Sequence, residues 1–345
     1  MTKVRVAVDA MGGDRAPEEI VAGAVEARSD TVEPVLFGRR EVLELLAQGL
    51  EIVHADEVVA MDEKPSDAAR EKRGSSMFAA CRAVGEGDAQ AVVSAGNTGA
   101  MLAAGLLEIR RLPDVHRPAI AVPLPSIGGT SVLIDGGANA DARPEHLVQF
   151  GHMGSVFAQE ALGIAAPRVA LLSIGEEPEK GNRLVRETHE LLAGTELNYT
   201  GNVEGRDLLG AAADVVVCDG FTGNVALKTL EGGIGTTMGA FREALGSNLR
   251  SKLGGLLIRP AARELRAKLD PDTYGGAYLL GLRGLVVIAH GNSSRTATAN
   301  AIRLGARGVE GRVVERVAAR LAEPAERPRE AVLPSGVHFE GRKEN

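Results

Sequence analysis

Residues Asp214 to Lys228 read DVVVCDGFTGNVALK, and this stretch decides the fold. Val215, Val216 and Val217 form a β-branched run, the pattern of a buried strand. Asp219, Gly220, Thr222, Gly223 and Asn224 then interrupt regular structure, with Thr222 the expected cap of the next helix. Val225, Ala226, Leu227 and Leu230 restart an apolar pattern at helical spacing. A strand that ends in a polar, glycine-rich turn and opens a helix presents backbone N–H groups at the helix N-terminus, an arrangement suited to an anion. An ordinary capped turn fits the same residues.

The same construction recurs five times. Val4–Val8 runs into Asp9, Gly12, Gly13 and Asp14, and Pro17 opens a helix. Ala91–Val93 feeds Ser94, Gly96, Asn97, Thr98 and Gly99. Thr130–Ile134 ends in Asp135, Gly136, Gly137, Asn139 and Asp141, and a helix from Pro144 to Leu162 comes next. Val169–Ser173 exits into Gly175–Asn182, which contains Glu176, Lys180 and Asn182. Leu285–Ala289 leads to His290, Gly291, Asn292, Ser293 and Ser294. Further strands are expected at Val35–Phe37, Ile52–Val53 and Leu197–Thr200, with Ala119–Pro125 paired to Thr130–Ile134 around Gly128–Gly129. Helices are expected through Val42–Leu46, Ser75–Val84, Met101–Ile109 and Val313–Leu321. The charged stretch from Asp56 to Gly74 reads as a surface loop and helix, or as a flap over a site.

Strands alternating with helices predict an α/β fold of three layers, α/β/α, with a mostly parallel open sheet. Ligands of such sheets bind beyond the carboxyl ends of the strands. Six polar, glycine-rich ends therefore predict one shared cleft. One α/β catalytic domain is expected over residues 1–323, with a helical hairpin at about 224–270. A polar tail, 324–345, is expected to pack poorly.

Composition narrows the function. The chain has 345 residues, 44% hydrophobic and 25% charged, so a sizeable core can form. Aromatics are 3% and the net charge is −7, which disfavours a nucleic-acid partner. Cys81 and Cys218 stand in apolar surroundings at no metal-ligand spacing and read as reduced and buried. With Lys3 and Arg5 placed in the first strand and no apolar run of about 18 residues, a cytoplasmic protein is expected.

The dinucleotide fingerprint, the P-loop, the nucleophile elbow, H-E-x-x-H and C-x-x-C are all missing from the sequence. What remains is a polar cleft with helix N-termini, amides and few cations, chief among them Lys180. That set suits an oxyanion such as phosphate, which as a nucleophile needs only positioning and stabilisation of charge on the attacked carbonyl. Each residue also has a plainer reading. Lys180 fits a surface lysine, Asn224 a helix cap, and His290 a satisfied histidine at a strand end. The carboxylates Asp9, Asp14, Asp135, Asp141 and Asp219 have no recognisable metal-ligand spacing and read better as caps and turn stabilisers, so neither metal nor cofactor is expected.

The motifs VAVDAMGGDRAP (6–17), SAGNTGAM (94–101), LIDGGANAD (133–141), LLSIGEEPEKGN (171–182), GNVEGRD (201–207) and DGFTGNVALK (219–228) resemble those of the bacterial phosphate acyltransferases of phospholipid synthesis. Tyr274–Gly276 and GLVVIAHGNS (284–293) fit as well, and the resemblance covers roughly residues 4 to 322. It implies transfer of a fatty-acyl group from acyl carrier protein to inorganic phosphate. It also implies a fold similar to phosphotransacetylases and isocitrate-type dehydrogenases, a homodimer, and peripheral membrane association. By the same resemblance Lys180 holds phosphate or the developing oxyanion, and Asn224 orients the thioester carbonyl. The strand-end residues Asp9, Gly12, Gly13, Asp14, Ser94, Asn97, Thr98, Asp135, Asn139, Asp141, Glu176, Asn182, Asp219, Thr222, His290, Asn292 and Ser293 are the expected substrate contacts. An acyl-CoA:phosphate transferase of the same fold, a dehydrogenase and a membrane-bound scaffold remain as other readings.

Between Arg242 and Lys268 the chain carries Arg242, Arg250, Lys252, Arg259, Arg263, Arg266 and Lys268 against Glu243 and Glu264. Leu253, Leu256, Leu257 and Ile258 form an apolar knot at the expected turn of the hairpin. This segment reads as a lipid dock, a face for the acidic carrier protein, a dimer contact or a solvated charged face.

Overall fold

The computed structural model describes residues 3–126, 129–269 and 275–322. Gly128, Tyr274 and the tail 324–345 lie outside the described residues, as do the side chains of Glu264, Arg266 and Lys268. The first part of the chain forms β1 (Val4–Asp9), α1 (Glu18–Ala27), β2 (Val32–Gly38), α2 (Arg40–Leu43), β3 (Glu51–His54), α3 (Pro65–Glu71), α4 (Ser76–Glu86), β4 (Ala91–Ser94) and α5 (Thr98–Ala104). Next come β5 (Ala119–Ser126), β6 (Gly129–Ile134), α6 (Pro144–Leu162), β7 (Val169–Leu172), α7 (Arg183–Ala193), β8 (Tyr199–Val203) and β9 (Val215–Val217). The last part holds α8 (Gly220–Gly246), α9 (Leu249–Leu269), β10 (Ala277–Leu280), β11 (Leu285–Ile288), α10 (Arg295–Glu310) and α11 (Val313–Ala322).

The strands make one sheet in the order β3-β2-β1-β4-β11-β10-β5-β6-β9-β7-β8. Period-two alternation sends neighbouring side chains to opposite faces. Val6, Val8, Val132, Ile134, Val215 and Val217 point into the core beneath α1, α6, α10 and α11. Ala7 and Val92 point the other way, beneath α4 and α5, and Leu133 and Val216 pack beneath the first turns of α8. The three-layer reading therefore holds, and the fully buried valines of β9 each contribute about 1.5–3 kcal/mol relative to exposure.

Two departures matter. β10 was not anticipated: Ala277–Leu280 is a four-residue apolar run between glycines, with no alternation to mark it, because it is central and covered on both faces. The expected helix over Val42–Leu46 is a single turn, α2, closed by Gln48 and Gly49, which adopt φ of 46° and 81°.

Direction across the sheet positions the site. Strands β1, β2, β3, β4 and β11 run parallel to one another, as do β6, β7, β8 and β9. The pairings β11·β10, β10·β5 and β5·β6 are antiparallel, so the two parallel blocks point in opposite directions. Register brings their ends together. Val287 pairs with Tyr278, Tyr278 with Ala121, and Ala121 with Ile134. Because β11 stops at Ile288 and β6 at Ile134, both blocks end within a residue of one row.

Helices α8 and α9 form the expected hairpin, but its turn is Ser247–Asn248 rather than the apolar knot. Leu253–Ile258 lies within α9, and a Cβ on Gly255 would stand 3.5 Å from that of Leu245, so this glycine lies against α8 rather than in a turn. Among the described residues of the pair, Gly220, Gly223 and Leu227 are buried, all near the sheet.

Candidate functional site

A cavity of about 470 Å³ opens above the row where the two blocks meet, on the α5 and α8 face of the sheet. Its floor is Ile120 and Val122 of β5, Ala277 of β10 and Ile288 of β11. One wall is Thr98, Gly99 and Leu102 of α5, and the other is Asn224, Leu227, Lys228 and Glu231 of α8. Gly136–Ala138 after β6 and His290–Gly291 after β11 close the ends. Four of the six polar strand ends therefore share this cavity. The end of β1 backs it: the Asp14 N–H donates to the Gly291 carbonyl at 2.7 Å, and a Cβ on Gly13 would stand 3.0 Å from that oxygen. The end of β7 lies elsewhere, in a pocket of about 250 Å³ with Ser173, Gly181, Asn182, Asp219 and Thr222. Lys180 is exposed on that loop and is not among the lining side chains of either cavity.

Several expected substrate contacts are instead turned inward to build the walls. Asp135 is fully buried; Oδ1 accepts from the N–H groups of Ile120, Gly137 and Ala138, and Oδ2 from the N–H and the Nδ2 of Asn139. Asn139 gives its amide to Asp135 and to the Pro118 carbonyl. Asp9 accepts from the hydroxyls of Ser76 and Ser94 at 2.6 and 2.7 Å, and burial pushes its carboxyl above the usual range. Ser94 in turn accepts from the Gly96 N–H. Asn97 caps α5 at Ala100 and donates to the carbonyls of Met61 and Glu63. Asn182 caps α7 at Val185. The charged stretch 56–74 is thus tied down by Asn97, and its Met61 reaches the cavity.

The turn into α8 differs from the expected anion site. The cap is Asp219 rather than Thr222: its carboxylate accepts from the Thr222 N–H at 2.9 Å and from the Thr222 hydroxyl at 2.7 Å. The Gly220 N–H donates to the Asn139 carbonyl. A carboxylate and a carbonyl already fill the N-terminus of the helix. Asn224 is not the cap but faces the cavity from the next turn, beside Gly137.

Among the described side chains lining the cavity, Lys228 supplies the ammonium, with Nζ 2.9 Å from the Glu231 carboxylate. Neither Lys228 nor Glu231 was singled out from sequence, although they stand four and seven residues beyond Asn224 and so share its helical face. Thr98 is exposed at the wall and His290 half-buried, whereas Ser293 is buried with its N–H on the His290 carbonyl. Glu176, Asp141 and Asn292 are exposed and are not lining residues. Burial pushes the thiols of Cys81 and Cys218 up, so neither is a ready thiolate. No group of three or more metal-ligating side chains occurs among the described residues.

Residues 4–316 match the family described as Fatty acid synthesis protein. The chain belongs to this family. It is 48% identical over 316 residues to a phosphate acyltransferase of Heliobacterium modesticaldum, covering 89% of this chain and 94% of the relative. It is likewise 48% identical over 323 residues to one of Thermobifida fusca, covering 90% and 89%. Solved structures support the fold of this Fatty acid synthesis protein family member. A phosphotransacetylase from Streptococcus pyogenes matches with a TM-score of 0.58 at 18% identity, over 89% of this chain and 94% of that one. A branched-chain phosphotransacylase from Enterococcus faecalis matches with a TM-score of 0.57 at 18% identity, over 89% and 99%.

Proposed function

We propose that the protein transfers a fatty-acyl group from acyl carrier protein to inorganic phosphate, giving acyl phosphate for phospholipid synthesis. The observation that carries this reading is the match over almost the full length to chains named phosphate acyltransferase. The cavity is consistent with it, offering an amide, an ammonium and an imidazole around a space large enough for a thioester and a phosphate. A phosphate oxygen attacks the thioester carbonyl carbon, the carbon–sulfur bond breaks, and the carrier thiolate leaves and takes up a proton. Asn224 donates to the carbonyl oxygen as negative charge builds there. Phosphate is held by Lys228 inside the cavity, while Lys180, the cation the family resemblance names, stands on the β7 loop outside it.

The test is acyl-phosphate formation from a long-chain acyl carrier protein and phosphate, trapped with hydroxylamine, with acyl-CoA as the parallel donor. Product from the carrier donor is expected. Product from CoA alone would make the enzyme phosphotransacetylase-like, and none from either would sink the reading.

Peripheral membrane association is part of the same proposal. No helix among the described residues is long and apolar enough to cross a membrane. On α9, however, Leu253, Leu256 and Leu257 are 63%, 63% and 77% exposed, with Ile258 beside them. Arg250, Lys252, Arg259 and Arg263 flank them, so apolar groups can enter the interface while the cations meet anionic headgroups. Leu257→Glu is expected to abolish flotation with anionic liposomes; unchanged flotation rejects this dock. The implied homodimer is checked by sedimentation equilibrium, and a monomer would reject it.

A further inference from the structure

We propose that the acyl chain of the substrate lies in the groove between β5 and α8, and that Gly235 and Gly239 set the longest chain accepted. This rests on the acyl-transfer reading and adds where the apolar part of the substrate goes. The groove holds about 340 Å³ and runs along Val122–Pro125 of β5 and one face of α8 that includes Leu230, Ile234 and Met238. It is continuous with the polar cavity: Val122, Pro123, Leu227, Glu231 and His290 line both. A carbonyl placed at Asn224 therefore has an apolar exit along the helix.

Length fits the occupant. From Leu227 to Arg242, the span of α8 that borders the groove, the helix rises roughly 22 Å at 1.5 Å per residue. One leaflet of a bilayer holds its acyl tails in about half of a 30 Å hydrocarbon core, or roughly 15 Å. From a carbonyl at Asn224 a tail of that length spans about ten residues of α8 and ends near Ile234 and Gly235, and the groove runs on past Gly239, about 22 Å along, for longer chains.

The glycines are the second feature of the groove. A glycine weakens a helix interior relative to alanine, so a packing reason is expected where one is kept. Among the described residues none is found at Gly235 or Gly239, where a Cβ would meet nothing within 4 Å; the same holds at Gly232, so it is their place in the groove that sets them apart. Both line the groove, so a side chain there would occupy the space in which the tail lies. Gly232 also has open space around it but is not a lining residue, which makes it the control.

The experiment compares wild type with Gly235→Leu, Gly239→Leu and the control Gly232→Leu. Acyl-carrier-protein substrates of about eight and about sixteen carbons are used, and binding of a fluorescent long-chain fatty acid is measured separately. Blocking the groove is expected to lower kcat/KM for the long chain by about tenfold or more in the two groove variants, as unfavourable contact with a few methylenes does. The short chain should stay within about twofold, the fatty acid should bind about tenfold more weakly, and Gly232→Leu should match wild type. An unchanged long-to-short ratio with unchanged fatty-acid binding overturns the proposal. So does a change in oligomeric state without a change in that ratio, because the groove would then be a contact between copies of this chain. If wild type makes no acyl phosphate yet binds the fatty acid, and the groove variants lose that binding, the groove stands and the acyl-transfer reading falls.

Discussion

Gly223→Ala adds one methyl group where α8 crosses the exit of β6. The new Cβ would stand 2.0 Å from the Asp135 carbonyl oxygen and 2.9 Å from the Cys218 sulfur. The oxygen belongs to a backbone whose side chain is fixed by five hydrogen bonds, so it cannot turn aside. Restoring ordinary contact at 3.4 Å moves one backbone by at least 3.4 − 2.0, roughly 1.4 Å, where a misplacement of about 1 Å already costs on the order of 10²-fold in rate. Asn224, the next residue, moves with it. The expected result is a fall in kcat of about 10²-fold in the hydroxamate assay, with a loss of about 1–3 kcal/mol in urea unfolding from overpacking. Gly232→Ala on the same helix, with nothing within 4 Å, should instead keep wild-type activity and gain roughly 0.5–1 kcal/mol. Activity of Gly223→Ala within about threefold of wild type would refute the claim that this close approach positions Asn224.

Asp135→Asn replaces an acceptor-only group by one whose NH2 must face N–H donors; a loss of about 3 kcal/mol is expected in urea unfolding, and wild-type stability would show that the β6 exit is not built on this carboxylate. Hydrogen bonds from the Arg168 side chain hold the Asp214 carboxyl below its ordinary value. Their stabilisation is therefore full above the unfolded value of about 3.9 and is lost as the pH falls through the lower folded one. Asp214→Asn should accordingly cost about 1 kcal/mol at pH 7 and progressively less as the pH falls below about 3.9, measured by denaturant unfolding across the acid range; a pH-independent cost would assign the loss to packing. Asn224→Ala, Lys180→Ala and Lys228→Ala should each lower kcat by about 10²-fold. Near wild-type turnover removes that residue from the mechanism, and a loss confined to Lys228→Ala places phosphate inside the cavity alone.

The sheet was legible because its strands are short apolar runs that end in glycine-rich turns, β-branched throughout at Val215–Val217 and mixed at Val169–Leu172. Antiparallel β10 escaped because nothing in AYLL distinguishes a buried strand from a loop of apolar residues. Glycine clusters correctly marked the strand ends that border the cavity. The polar residues among them were harder to read, since a carboxylate such as Asp135 or Asp219 organises a turn with the same atoms that would contact a ligand. Lys228 and Glu231 were hidden for the opposite reason: four and seven residues beyond Asn224 they look like an ordinary solvated helical face, and only the packing of α8 over β5 turns them towards the cavity.

The meeting of the two oppositely directed strand blocks has a consequence for how the molecule comes into being on the ribosome. In the sheet, β4 and β5 are consecutive in sequence yet are separated by β10 and β11, residues 277–288. Until those residues leave the exit tunnel, the β1–β4 block and the β5–β9 block have no shared hydrogen-bonded edge and the cavity has no floor between them. The last two of the described strands to be synthesised act as the keystone, so the newborn chain stays without a complete cavity until residue 288 has been made.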